Sequence, residues 1–181
     1  IKFTVSTAGV TELEFSSAGD IAGTVSVNAN AGADPTYSVK SGLKTITVKP
    51  ASGTFSTTAT YYVSVLPTLG AADVKQKLEI KSEGVVVKSG NVHFTRNKVM
   101  DAKAIEVKYV YLKPNLIWGL ASARYAAYFF QGADNQWQNM VSIGDGVYRA
   151  IVPEGYTNLI FCRMDPNKSE LDWASKWNQS P

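Results

Sequence analysis

The chain contains a single histidine and a single cysteine, and this scarcity removes whole classes of chemistry. A structural zinc site needs about four Cys or His ligands, and no cluster of them occurs. Nucleophilic catalysis of the hydrolase kind needs a serine on a sharp G-x-S-x-G turn, and that pattern is missing, as are H-E-x-x-H and any Asp-rich calcium loop. His93, in NVHFTR, faces outward if Val92 and Phe94 face inward, and is read as a solvated side chain. The carboxylates Asp134, Asp145, Glu154 and Asp165 occupy turn positions, where acidic residues are routine. Nothing selects a facing pair of the kind glycoside hydrolysis uses. With one cysteine no internal disulfide forms, and Cys162, inside the apolar run LIFCRM, reads as a buried, inert thiol.

Charge is scarce as well. Charged residues are 18% of the chain and the formal net charge is +3, with no Lys/Arg block, so no nucleic-acid-binding patch is visible. No segment approaches the roughly 18 apolar residues that a membrane-spanning helix needs. The sequence starts at Ile1 without an initiator Met, a basic leader or an apolar leader core, as a processed or trimmed chain would. Apolar residues make up 45% of it, enough to build a core for one large or two small domains.

What is present is a series of short β-branched runs. In residues 1–107 these are KFTVS, TELEF, GTVSVN, TYSVK, LKTITVK, TYYVSVLP, KQKLEIK, GVVVKS and NVHFTR. Turn residues separate them every 8–12 positions or so, the spacing of an all-β sandwich or barrel. In LKTITVK, Leu43, Thr45, Thr47 and Lys49 share one face and Lys44, Ile46 and Val48 the other. Glu83-Gly84 supplies the positive φ of a tight hairpin turn, and Pro67 ends its strand. The best helical candidate is the short run AADVKQKL over 71–78.

From about residue 108 the composition changes, the two patterns being joined by MDAKAIE with no Pro/Gly/Ser tract. All four tryptophans, Trp118, Trp137, Trp173 and Trp177, lie in the last 64 residues. The expected strands are VKYVYLK, ARYAAYFFQ, WQNMVSI, GVYRAIV and NLIFCRM, with turns at Gly132, Gly144-Asp-Gly and Pro153-Glu-Gly. The tail SELDWASKW forms either a short helical turn or an irregular cap, and on a helical turn Trp173 and Trp177 would share a face. In ARYAAYFFQ, Tyr125, Ala127 and Phe129 fall on one face and Ala126, Tyr128 and Phe130 on the other. Both faces are apolar. Such a strand is either buried on both sides or uses one side as a stacking platform for pyranose rings, whose C–H faces match aromatic area while nearby amides bond the hydroxyls. Trp137 directly follows Asn135 and Gln136, which supplies both kinds of group. Trp118, in PNLIWG, is either a further contact or a lid over the core's open end.

Two resemblances follow from these motifs. The run ITVKPASGTFSTTATYYVSVLPTLG, followed by a Gly-turn hairpin and HFTRNKVMDAKAIEV, together with the opening TVSTAGVTELEFSSAGDIAGTVSVN, resembles the Bacteroidales fimbrillin-like surface proteins over residues 1–107. The matching residues are Thr60–Pro67 and Phe94–Val99, with Arg96 and Asn97 in the RN position. That resemblance implies a β-sandwich in a secreted, lipid-anchored precursor that builds fimbriae or remains at the cell surface, often by donor-strand exchange. This sequence lacks the family's lipid-acceptor cysteine and most of its first half. Residues 108–163, through YVYLKPNLIW, RYAAYFF, GADNQWQNM and IGDGVYRAIVPEGYTNLIF, resemble the small β-sandwich modules that bind starch-like glucans. This second likeness implies a ligand-stacking tryptophan at Trp137.

The expected fold is therefore all-β, with two mostly antiparallel β-sandwich domains of immunoglobulin-like, transthyretin-like or starch-binding-like type, at 1–107 and 108–181. The expected function is non-enzymatic: adhesion at the cell surface, on the outer membrane or in a fimbria, with glycan binding by the second domain. Either a dedicated α-glucan-binding protein or a purely structural fimbrial subunit is the alternative. The expected carbohydrate contacts are Trp118, Tyr128, Asn135, Gln136, Trp137 and Trp173. The expected partners are a glycan or other host-surface ligand and further fimbrial subunits, with no cofactor, metal or nucleic acid.

Overall fold

In a computed structural model, which describes all residues except 30, 31, 33–35, 71 and 72, the chain is all-β. It divides into two compact units, Ile1–Val107 and Lys108–Pro181. The first carries β1 (Lys2–Val5), β2 (Leu13–Ser17), β3 (Ala22–Asn28), β4 (Thr36–Leu43), β5 (Thr45–Val48), β6 (Thr60–Tyr62), β7 (Gln76–Ser82), β8 (Val85–Val92) and β9 (Asp101–Ile105). One sheet has the order β6-β1-β9 and another β5-β2-β7-β8, while β3 and β4 pair as a hairpin. The described pairings in this unit are antiparallel except β1 with β9, which run parallel.

Alternation explains the core of this unit. Phe3 and Val5 of β1 point inward, as do Leu13 and Phe15 of β2, Leu78 and Ile80 of β7 and Ile105 of β9, and all are buried. The ring of Phe3 lies 5.2 Å from that of Phe15, across the two sheets, and 6.2 Å from Phe55. Tyr61 stacks on Phe3 at 5.5 Å and meets Phe55 edge-on at 5.0 Å, whereas its neighbour Tyr62 is 68% exposed. The Glu83-Gly84 turn has the two positive φ values, 50° and 80°, that a tight hairpin between β7 and β8 requires.

Four segments differ from their sequence expectation. TYYVSVLP pairs as a strand only over Thr60–Tyr62; beyond it Val63 and Leu66 make isolated bonds to Ile1 and Ile21. MDAKAIE, read as a join, contains β9, because the far-off β1 offers it an edge on which to pair. Of AADVKQKL, Ala71 and Ala72 lie outside the described residues, and the chain from Gln76 is the strand β7, since Leu78 and Ile80 alternate into the core. NVHFTR leaves the ladder after Val92, and Phe94 turns into the core with its N–H on the Thr68 hydroxyl.

The second unit carries β10 (Tyr109–Leu112), β11 (Arg124–Gln131), β12 (Asp134–Asn139), β13 (Val141–Gly144), β14 (Val147–Ile151), β15 (Asn158–Met164) and β16 (Lys176–Gln179), with 3₁₀ turns at Leu120–Ser122 and Trp173–Ser175. Its two antiparallel sheets have the orders β10-β14-β13 and β12-β11-β15-β16. The stretch read as one strand, WQNMVSI, breaks at the buried Met140 and crosses from one sheet to the other. Between the sheets Tyr125, Ala127, Phe129, Met140 and Ala150 form the core, with Val110, Leu112, Tyr148 and Phe161 packed against it. No helix among the described residues is long and apolar enough to cross a membrane.

Phe3 is the centre on which the aromatic cluster of the first unit converges. Replacing Phe3 by Ala is expected to destabilise that unit by about 3–5 kcal/mol, the cost of deleting a buried ring. Chemical denaturation followed by tyrosine signals from the first unit, with the tryptophans of the second as an internal reference, measures the effect.

Candidate functional site

The antiparallel register of β11 with β12 decides which side chains meet. Tyr128 is paired with Trp137, Phe130 with Asn135 and Ala126 with Asn139. Paired residues share a face, so one side of this sheet carries Asn135, Trp137 and Asn139 beside Ala126, Tyr128 and Phe130. This is the face turned away from the core between the sheets. The other parity of β11, Tyr125, Ala127 and Phe129, fills that core.

On the outer face the rings converge. Tyr128 lies 4.8 Å from Trp137 and 4.7 Å from Trp173, and the two indoles are 4.8 Å apart. At 63° and 70° Trp173 meets Tyr128 and Trp137 edge-to-face, the arrangement favoured by ring quadrupoles, while Tyr128 and Trp137 are tilted at 54°. Phe130 continues the row, stacked on Tyr128 at 5.8 Å. Tyr128, Phe130 and Trp137 are partly buried, and Trp173 is 45% exposed. Beneath them Ala126, Cys162 and Met164 form a second buried cluster.

Trp173 reaches this face from a strap, residues 165–175, which links β15 to β16. Leu171 anchors the strap on the Ala126–Cys162–Met164 cluster. Asp172 caps the 3₁₀ turn at its end, accepting a 2.7 Å bond from the Ser175 N–H, and its hydrogen bonding to Ser175 holds the Asp172 carboxyl below its usual pKa. Lys176 places its ammonium 5.2 Å from the Trp173 ring centroid and donates to Gln179 Oε1 at 2.5 Å. Aromatic area, a cation and amides from Asn135, Asn139 and Gln179 thus border one surface. A surface of this kind can stack an apolar sugar face and bond its hydroxyls.

Of the residues expected from sequence, Tyr128, Asn135, Trp137 and Trp173 share the outer face. Gln136 does not: it pairs with Phe129, on the core side, because neighbours in a strand point oppositely. Trp118 is also elsewhere. It packs against the inter-sheet core, its ring parallel to Tyr125 at 6.5 Å, and its carbonyl accepts bonds from the Tyr125 hydroxyl and Arg163 Nε. It is a lid over the core's end. Trp173 and Trp177 share no helical face, because the 3₁₀ turn stops at Ser175 and β16 follows; Trp177 lies under the Arg163 guanidinium, 4.7 Å away. Asn139, two residues beyond Trp137, and Phe130, two beyond Tyr128, were missed, although strand alternation places both on this face.

Elsewhere, His93 bonds the Val74 carbonyl through Nδ1 at 2.7 Å, and among the described residues no group of His, Cys, Asp and Glu is arranged to hold a metal. Burial pushes the Cys162 thiol up to about 11. No protein family, curated protein or solved structure matches the chain.

Two outcomes are expected. Trp118→Ala should lower the stability of the second unit by about 2 kcal/mol, whereas Trp173→Ala should cost less than half of that, as paired thermal melts will show. Cys162 should resist a thiol-specific chromogenic reagent at about pH 8 and react fully once the chain is unfolded, because only the thiolate attacks.

Proposed function

We propose that the second unit is a carbohydrate-binding module, and that the chain is a non-enzymatic cell-surface protein in which the first unit is a structural spacer. The observation that carries this reading is the convergence of Tyr128, Trp137 and Trp173 on the face of this unit's sheet turned away from its own inter-sheet core. Apolar rings left partly wet are costly unless something uses them, and the bordering amides and Lys176 supply the donors and acceptors that sugar hydroxyls require. The resemblance of residues 108–163 to glucan-binding modules makes α-glucans the first ligands to test, and adhesion to a glycan-bearing surface the corresponding role.

A second reading, a structural fimbrial subunit, is favoured by an open groove of about 460 Å3 in the first unit. Val63, Val65 and Pro67 line one wall, and Phe94, Val99 and Met100 the other. Past Tyr62 the first wall leaves the ladder, with Val63 and Leu66 bonded to Ile1 and Ile21 and Val65 between them, and backbone outside a ladder beside apolar side chains can receive an added strand.

Isothermal titration against a panel of oligosaccharides tests the first reading. Binding of maltoheptaose, weakened at least about tenfold by Trp137→Ala, is expected from the loss of one stacking partner; no binding across the panel would remove the proposal. The second reading requires dodecyl-sulfate-resistant ladders on refolding at high concentration, abolished by Val65→Pro. A monomer under all conditions would sink it.

A further inference from the structure

We infer that Arg124 is the positioning residue of the saccharide platform, holding the strap so that Trp173 stays packed against Tyr128 and Trp137. The inference rests on the glycan reading for its functional consequence but not for its structural content.

Arg124 starts β11 on the same face as Tyr128, four residues away, and its side chain is partly buried. Each of its three guanidinium nitrogens has a different partner. Nε donates to the Asp165 carbonyl at 3.1 Å, at the start of the strap. Nη2 donates to the Glu170 carbonyl, three residues before Trp173. Nη1 donates to Asn139 Oδ1 at 3.0 Å, on the strand that carries Trp137. One planar fork thus joins β11 to β12 and to the start and middle of the strap, Asp165 and Glu170. An arginine can do this because its donors are fixed in one plane and stay charged at all relevant pH values. A lysine offers one point of charge and cannot span the three acceptors.

The strap's other side-chain bonds are local. Lys168 Nζ reaches the Ala174 carbonyl at 3.1 Å and the Asn167 N–H reaches Asp165 Oδ1 at 2.9 Å, both within the strap itself. Leu171 tethers it to the sheet through apolar contact, which is non-directional. Backbone bonding closes the strap's two ends, the Asp165 N–H donating to the Ser175 carbonyl at 2.9 Å, and Lys176 lies over the Trp173 ring; Arg124 adds the directional side-chain tie that fixes the strap's middle, just ahead of Trp173, to β11 and β12. Asn139 acquires a role as well, since its Oδ1 fixes the fork relative to Trp137.

The test uses the full chain labelled with 5-fluorotryptophan, its four fluorine resonances assigned by single Trp→Phe substitutions, in the absence of any sugar. Arg124→Gln and Arg124→Lys should shift and broaden the Trp173 resonance while those of Trp118 and Trp177 stay in place. Asn139→Ala, which removes one of the three bonds, should give a smaller shift in the same direction and provides the readout should the Arg124 variants not fold. With maltoheptaose, Arg124→Gln should weaken binding about tenfold, and its loss should not add to that of Trp173→Ala, as for residues acting through one contact. An unmoved Trp173 resonance in the folded variants overturns the inference, as does full additivity. Absence of binding by the unmodified chain, with the Trp173 resonance still displaced by the Arg124 variants, removes the glycan reading and leaves the positioning role standing.

Discussion

The structure of the second unit turns on one strand with two apolar faces. In an ordinary sandwich strand, one side packs and the other meets water. β11 buries Tyr125, Ala127 and Phe129 between the sheets, and it also presents Tyr128 and Phe130 on the opposite side. That second side needs cover, and the second unit has no third layer of its own to provide it. The chain supplies a single strap, which brings Leu171 and Trp173 over the sheet. Leu171 completes the seal above Cys162 and Met164. Trp173 leaves the aromatic row only half shielded. The partial cover is what distinguishes a packing solution from a surface able to receive a ligand.

Much of this was legible in the amino-acid order. Period-two alternation identified most of the strands, because most have one face that must enter a core, though β16, exposed along most of its length, went unread. It also separated the two parities of β11, and the polar turn at Gly132 placed Trp137 on the returning strand. Where sequence reasoning failed, it had misplaced a strand end or met contacts that span long separations. Asn135 and Gln136 were read as turn residues ahead of a strand starting at Trp137, whereas β12 already begins at Asp134, so Gln136 points to the core side and Asn139 joins the outer face instead. β9 went unread because DAKAI is short and half polar, and its pairing partner β1 is about a hundred residues earlier. Arg124 carried no signal, since its acceptors in the strap are backbone carbonyls forty or more residues away, and a carbonyl is present at every position.

The tryptophans illustrate the same division. Four of them in one small unit suggest a binding surface, yet each has a different neighbourhood. Trp118 closes the core, Trp177 lies against the Arg163 guanidinium, and only Trp137 and Trp173 belong to the outer row. Enrichment in a residue type shows that large apolar area is being used. Which ring is wet depends on the register of β11 with β12 and on where the 3₁₀ turn after Asp172 stops.

The parallel pairing of β1 with β9 has a mechanical side. These strands open and close the first unit, and they lie next to each other pointing the same way. Tension applied between the beginning of β1 and the end of β9 drags them along their shared axis in opposite directions. The bonds between them then bear the load together, whereas a hairpin pulled from its open end unzips rung by rung. A unit of this design resists stretching through the seam where its first and last strands meet.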